Sequence, residues 1–117
     1  MPTYWSLHSS GGEGDGYWRE YTLFEWQVRM SLGHGYRPNH LPREVFAPDL
    51  TRDGSMDEFA DAILGDISEM YLAGTLPAHG TNGERSIMVG GSSVLYRYRV
   101  DPGTDRFYIG TFFVNLG

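Results

Sequence analysis

A chain of 117 residues without cysteine can bury a core unaided, and it excludes disulfide frameworks, thiolate zinc sites and cysteine nucleophiles. Its nine basic residues are all arginine, set against fifteen acids for a net charge of −6. No apolar run approaches the roughly 20 residues of a membrane-spanning helix, and residues 1–14 have neither the basic start nor the apolar stretch of a secretory signal. The expectation is a single cytoplasmic domain, residues 1–117, from a bacterium or one of its viruses. Arginine in place of every lysine fits GC-rich coding better than chemistry.

The negative charge is made in one place. Residues 1–43 balance, whereas residues 44–69 carry Glu44, Asp49, Asp53, Asp57, Glu58, Asp61, Asp66 and Glu69 against Arg52 alone. Phosphate would be repelled there, while a basic protein would be attracted.

In chain order, residues 3–8 alternate and are rich in aromatics, which predicts a short strand. Residues 9–16 hold four glycines and predict a hairpin loop. The spacing Gly12-x-Gly14-x-Gly16 lacks the following Lys-Ser/Thr and helix of a phosphate loop. Residues 17–30 read as one long strand. Thr22, Phe24, Trp26, Val28 and Met30 would share one face, and Arg19, Tyr21, Glu25, Gln27 and Arg29 the other. Residues 31–54 contain Pro38, Pro42 and Pro48 without periodicity and predict a loop, with one helical turn over 42–47.

Residues 55–74 predict an amphipathic helix of about five turns. Ser55 and Glu58 form a capping box; Met56, Phe59, Ala60, Ile63, Leu64, Ile67, Met70 and Tyr71 make one apolar stripe; Gly74 and Pro77 end it. Asp57, Asp61 and Glu69 fall on the other side. A strand is predicted over 85–89 and a hairpin over 94–114, turning at Asp101-Pro-Gly-Thr-Asp105 with Pro and Gly at the central positions of a type II turn. The order ββ-α-β-ββ predicts an α+β domain, an antiparallel sheet packed on one long helix.

Several motifs carry candidate chemistry. His34, His40 and His79 lie in loops, and five residues between the first two do not preset a metal geometry. No metal and no cofactor are expected. Asp49-x-x-x-Asp53-Gly54 matches the first half of a calcium loop but has Ala60 where the bidentate Glu belongs, so a turn is expected. His79-Gly80-Thr81 matches a nicotinamide-ribose motif of some ADP-ribosyl transferases over three residues only. The aromatics Tyr17 and Tyr21 beside Arg19 have the composition of an interface hot spot.

Residues 76–113 carry Leu76-Pro77, Val94-Leu-Tyr-Arg97, the turn Gly103-Thr-Asp-Arg106 and Thr111-Phe112. This stretch resembles the C-terminal sheet of barnase-like and RelE/ParE-like ribonucleases. The resemblance implies metal-independent RNA cleavage with Glu84 as base, and Arg97 with Arg99 or Arg85 on the phosphate. Arg106 stands where the barnase pattern has its acid histidine. It stays protonated, so there it can only stabilise charge, as in RelE-like members that rely on arginines.

The leading expectation from sequence is a non-catalytic protein-binding module of immunity, inhibitor or virion-assembly type. It would dock a protein, a basic one fitting best, through the acidic helix residues Asp57, Asp61, Asp66 and Glu69 or the aromatic cluster Tyr17, Arg19 and Tyr21. A homo-oligomer is compatible with this, and no membrane contact is expected. The alternative is a ribonuclease toxin using Glu84, Arg97, Arg99 and Arg106. Nucleic acid is a partner only under that alternative.

Overall fold

The computed structural model describes residues 4–13, 16–32, 52–89 and 91–114. Among these, six strands and one helix follow in the order β1 (Trp5–Gly11), β2 (Trp18–Leu23), β3 (Trp26–Met30), α1 (Arg52–Ala73), β4 (Asn82–Val89), β5 (Ser92–Val100) and β6 (Arg106–Val114). The strands form one sheet in the order β1-β2-β3-β6-β5-β4. The α+β class stands, but the sheet is mixed. β3 and β6 run parallel at its centre, and every other neighbouring pair is antiparallel.

The expected long strand over 17–30 is two strands. Leu23 pairs directly with Trp26, so the chain reverses through Phe24 and Glu25 alone. The turn lacks the Gly or Asn that such a hairpin normally uses; Phe24 takes φ = 55°. A bulky residue there is strained. Stacking offsets the strain: the Phe24 ring lies 4.2 Å from Tyr71 and 5.2 Å from Tyr4. The Tyr71 hydroxyl donates to both oxygens of Glu25 at 3.0 and 2.8 Å, tying the turn to α1.

This reversal exchanges the faces. Arg19, Tyr21 and Leu23 of β2 share the helix side with Trp26, Val28 and Met30 of β3. Glu20 and Thr22 share the opposite, open side with Gln27 and Arg29. The expected grouping of Arg19 and Tyr21 with Arg29 is therefore corrected. A two-residue turn shifts the alternation by one position.

α1 begins at Arg52, so Ser55 lies inside the first turn rather than at the cap. Its C-terminus is a Schellman motif: Gly74 N–H bonds Tyr71 O at 3.1 Å, Thr75 N–H bonds Met70 O at 2.9 Å, and Gly74 has φ = 71°. Phe59, Ala60, Ile63, Leu64, Ile67 and Met70 are buried against Leu23, Val28, Met30, Tyr96, Val100, Phe107, Ile109 and Phe112. Each large apolar side chain buried there contributes about 1.5–3 kcal/mol. The division of α1 into a dry and a wet side is incomplete. Ser68 is buried, donating to Gly65 O at 2.8 Å, and Leu72 is exposed. No described helix is long and apolar enough to cross a membrane. His34, His40, the expected turn over 42–47 and Asp49 fall outside the described residues.

Candidate functional site: the open face of the sheet

The helix acids are mostly engaged by the sheet. Asp57 pairs with Arg19, and Asp61 accepts from Trp5 Nε1 at 3.1 Å. Asp66 accepts from Arg85 Nε at 2.6 Å, Arg85 Nη2 at 3.1 Å and the Tyr96 hydroxyl at 2.7 Å. Its side chain is only 12 % exposed. Of the expected docking acids, Asp57, Asp61 and Glu69 are exposed, the first two while bonded to Arg19 and Trp5, whereas Asp66 is largely covered by Arg85 and Tyr96. Glu69 is exposed, on the rim of a cleft of about 390 Å³ between α1 and β4 that Asp61, Asp66, Ile87, Met88 and Ser93 also line.

The aromatic cluster is likewise internal. Arg19 reaches the Tyr17 hydroxyl at 2.9 Å and the Tyr21 hydroxyl at 3.2 Å as well as Asp57. Arg19 and Tyr21 are buried and Tyr17 is half-buried. Burial alone would push the Arg19 pKa down, but its bonds to Tyr17, Tyr21 and Asp57 outweigh this and raise it. These residues brace β2 against α1 and do not form a free patch.

The opposite face of the sheet has a different chemistry. Four of the nine arginines, Arg29, Arg97, Arg99 and Arg106, lie on it. Three stack on aromatic rings. The Arg29 guanidinium is 4.1 Å from the Trp18 ring centre, Arg99 4.8 Å from Tyr108, and Arg97 5.5 Å from Phe113. Such stacking uses the faces of the guanidiniums and leaves their N–H edges available.

The sheet register sets the spacing. Glu20 opposes Arg29, Arg29 opposes Tyr108, Tyr108 opposes Arg99 and Arg99 opposes Asn82, making one row across five strands. In the adjoining row Arg97 opposes Thr111 on one side and Glu84 on the other. Arg97 Nε donates to Glu84 Oε2 at 3.1 Å, with both side chains more than half exposed. The Tyr108 hydroxyl, the strongest influence on Arg106, raises that guanidinium's pKa.

Glu20 is the unusual member. Its side chain is 7 % exposed, and Oε1 lies 3.6 Å from Arg29 Nε and 3.5 Å from Arg106 Nη2. Neither contact is a hydrogen bond, and both Glu20 Oε1 and Arg29 Nε are buried without a hydrogen-bond partner. Leaving such groups unmade costs about 1–3 kcal/mol each. Beside them, Gly11 lies directly under the Trp18 indole: a Cβ there would sit 2.9 Å from Cζ2. The indole can lie flat on β1 because that position has no side chain.

The residues of the ribonuclease reading thus divide cleanly. Glu84, Arg97, Arg99 and Arg106 share the open face, whereas Arg85 turns to the helix side and is held by Asp66. Glu20, Arg29, Trp18 and Tyr108 were not singled out from sequence as site residues. Only the hairpin at Phe24–Glu25 brings Glu20 and Arg29 onto this face, and no turn residue announces it.

His79 stacks on Trp26 at 5.5 Å and its Nε2 lies 2.9 Å from Asp105 Oδ1. No group of three or more metal-ligating side chains occurs among the described residues. No protein-family model, no curated protein and no solved structure matches the chain, and the open face is read from its own geometry.

Proposed function

We propose that the protein acts on RNA through the open face of its sheet, as a metal-independent endoribonuclease working in the cytoplasm of a bacterium or an infected cell. The supporting observation is that Glu84, Arg97 and Arg99 stand together on that face with Tyr108. Arg19, Tyr21 and Asp66, by contrast, are bonded within the fold.

In this reading the Arg97 guanidinium orients Glu84. Glu84 removes the proton from a ribose 2′-hydroxyl, whose oxygen attacks the adjacent phosphorus. Arg97 and Arg99 stabilise the charge gathering on the phosphoryl oxygens. The bond from phosphorus to the 5′-oxygen breaks, leaving a 2′,3′-cyclic phosphate. The departing oxygen takes a proton from the Tyr108 hydroxyl, which water then replenishes. Arginine cannot be that acid.

The test is RNA integrity with the purified protein and with Glu84→Gln. Cleavage by the wild type with loss of about 10²–10⁴-fold in the variant supports general-base catalysis by Glu84. Equal cleavage by both removes Glu84 from the mechanism, and no cleavage by either ends the nuclease reading.

One observation favours a second reading, a non-catalytic protein-binding module of the immunity or inhibitor kind. The three stacked arginine–aromatic pairs have the composition of a hot spot. Its partner would present an acidic surface to the sheet, not a basic one to the helix. Intact RNA together with saturable capture of one acidic protein, lost in Arg99→Ala, would establish this second reading.

A further inference from the structure

We infer that Arg29 and Arg106, held from beneath by Glu20, form a second phosphate subsite for the same RNA strand, apart from the Glu84–Arg97 pair. The inference rests on the RNA reading above but not on catalysis. Two like charges do not gather on a sheet without a counter-charge, and here the counter-charge is buried. Glu20 lies within 3.6 Å of both guanidiniums yet hydrogen-bonds with neither. It neutralises part of their repulsion without taking a hydrogen bond from either.

The arginine side chains are 38 % and 35 % exposed, although Arg29 Nε itself is buried. Arg29 also sits over the Trp18 ring, 4.1 Å from its centre, a cation–π contact that holds the guanidinium in place. Two neighbouring guanidiniums that Glu20 does not hydrogen-bond fit a phosphate, whose oxygens accept two donors at once.

The row gives the relation to the first site. Arg29 and Arg99 flank Tyr108 on neighbouring strands, two strand spacings or about 10 Å apart. One single strand crossing β3, β6 and β5 can therefore meet both arginines, with the Tyr108 ring between them.

The experiment measures binding separately from cleavage. A labelled single-stranded RNA oligomer is titrated, at several salt concentrations, with protein carrying Glu84→Gln and with the same protein plus Arg29→Met or Arg106→Met. Methionine keeps an apolar stem over Trp18 and removes the charge. Each added substitution is expected to weaken binding about 5–10-fold and to lower the slope of log K against log salt by about one. Thermal melting of every variant guards against reading a folding defect as lost affinity, and Arg29→Lys and Arg106→Lys, which keep the charge, are titrated as second variants. Binding that is unchanged in both methionine variants overturns the subsite, whatever the cleavage result. Loss of affinity in a protein that never cleaves RNA supports the subsite and discards only the catalytic reading. Failure of the parent to bind RNA overturns both.

Discussion

Asp66 in the middle of α1 accepts two hydrogen bonds from Arg85 of β4, at 2.6 and 3.1 Å, and a third from the Tyr96 hydroxyl of β5 at 2.7 Å. This carboxylate pins the helix to the β4–β5 end of the sheet. Its bond is the main reason the Arg85 pKa is raised. An acid that composition places on a solvated helix face is in fact a fastening between layers.

Replacing Asp66 by Ala is expected to destabilise the fold by about 2–3 kcal/mol, because Tyr96 and part of Arg85 are left buried without an acceptor. Asp61→Ala removes only an exposed bond from Trp5 and is expected to change stability by less than about 1 kcal/mol. Urea unfolding of both variants checks the contrast. Equal losses would show that the carboxylate at 66 is not the fastening described.

Phe24 tests whether stacking or strain dominates the β2–β3 turn. Alanine loses the rings of Tyr4 and Tyr71 but keeps the positive φ of 55°. Glycine loses the same rings and relieves the backbone. Phe24→Ala is therefore expected to be less stable than Phe24→Gly by about 1 kcal/mol, with both below wild type. A chemical-denaturation series decides it.

Two glycines predict opposite signs. A Cβ at Gly83 would lie 2.4 Å from the Tyr98 hydroxyl oxygen and 2.6 Å from Cζ. Gly83→Ala must displace that ring and is expected to cost about 1–3 kcal/mol. A Cβ at Gly65 meets only Trp5 Cη2 at 3.9 Å, an ordinary contact. In mid-helix, Gly65→Ala is expected to stabilise by about 0.5–1 kcal/mol. Melting temperatures should move in opposite directions.

The fold should weaken in alkali. Burial, then the hydrogen bond to Asp66, raises the Tyr96 pKa above its ordinary value of 10.0, and burial raises that of Tyr21. The folded state keeps these protons where the unfolded state loses them. The unfolded chain therefore binds fewer protons, and stability falls as pH climbs past about 10. Tyr96→Phe has no proton to lose there. Its melting temperature, though lower near neutrality, should decline less between pH 9 and pH 11.5.

Local signals in the chain were sufficient for α1 and for the β5–β6 hairpin. The three- and four-residue spacing of Phe59, Ala60, Ile63, Leu64, Ile67 and Met70 is itself the geometry of a helix face, and those residues are buried. Gly74 ends the helix through a backbone preference that needs no partner. The β5–β6 turn, by contrast, is not the expected type II turn, because Gly103 does not take a positive φ. The Asp101 carboxylate holds that turn by accepting from Gly103 N–H at 3.0 Å and Thr104 Oγ1 at 2.8 Å. The α+β class follows from that alternation of periods.

Three things were decided by tertiary structure alone. The turn at Phe24–Glu25 exists because Tyr4 and Tyr71 support a conformation that phenylalanine would not choose, and that turn settles which face Glu20 and Arg29 occupy. The parallel pairing of β3 with β6 joins segments about 80 residues apart, and no local preference encodes such a contact. Asp66 lost its independence for the same reason. Whether Asp66 meets water or an arginine depends on Arg85, which reaches the helix only once the sheet has formed. Sequence spacing determines which side chains share an element, whereas the partners of charged side chains are set by packing between elements, and that decided where this protein's candidate site lies.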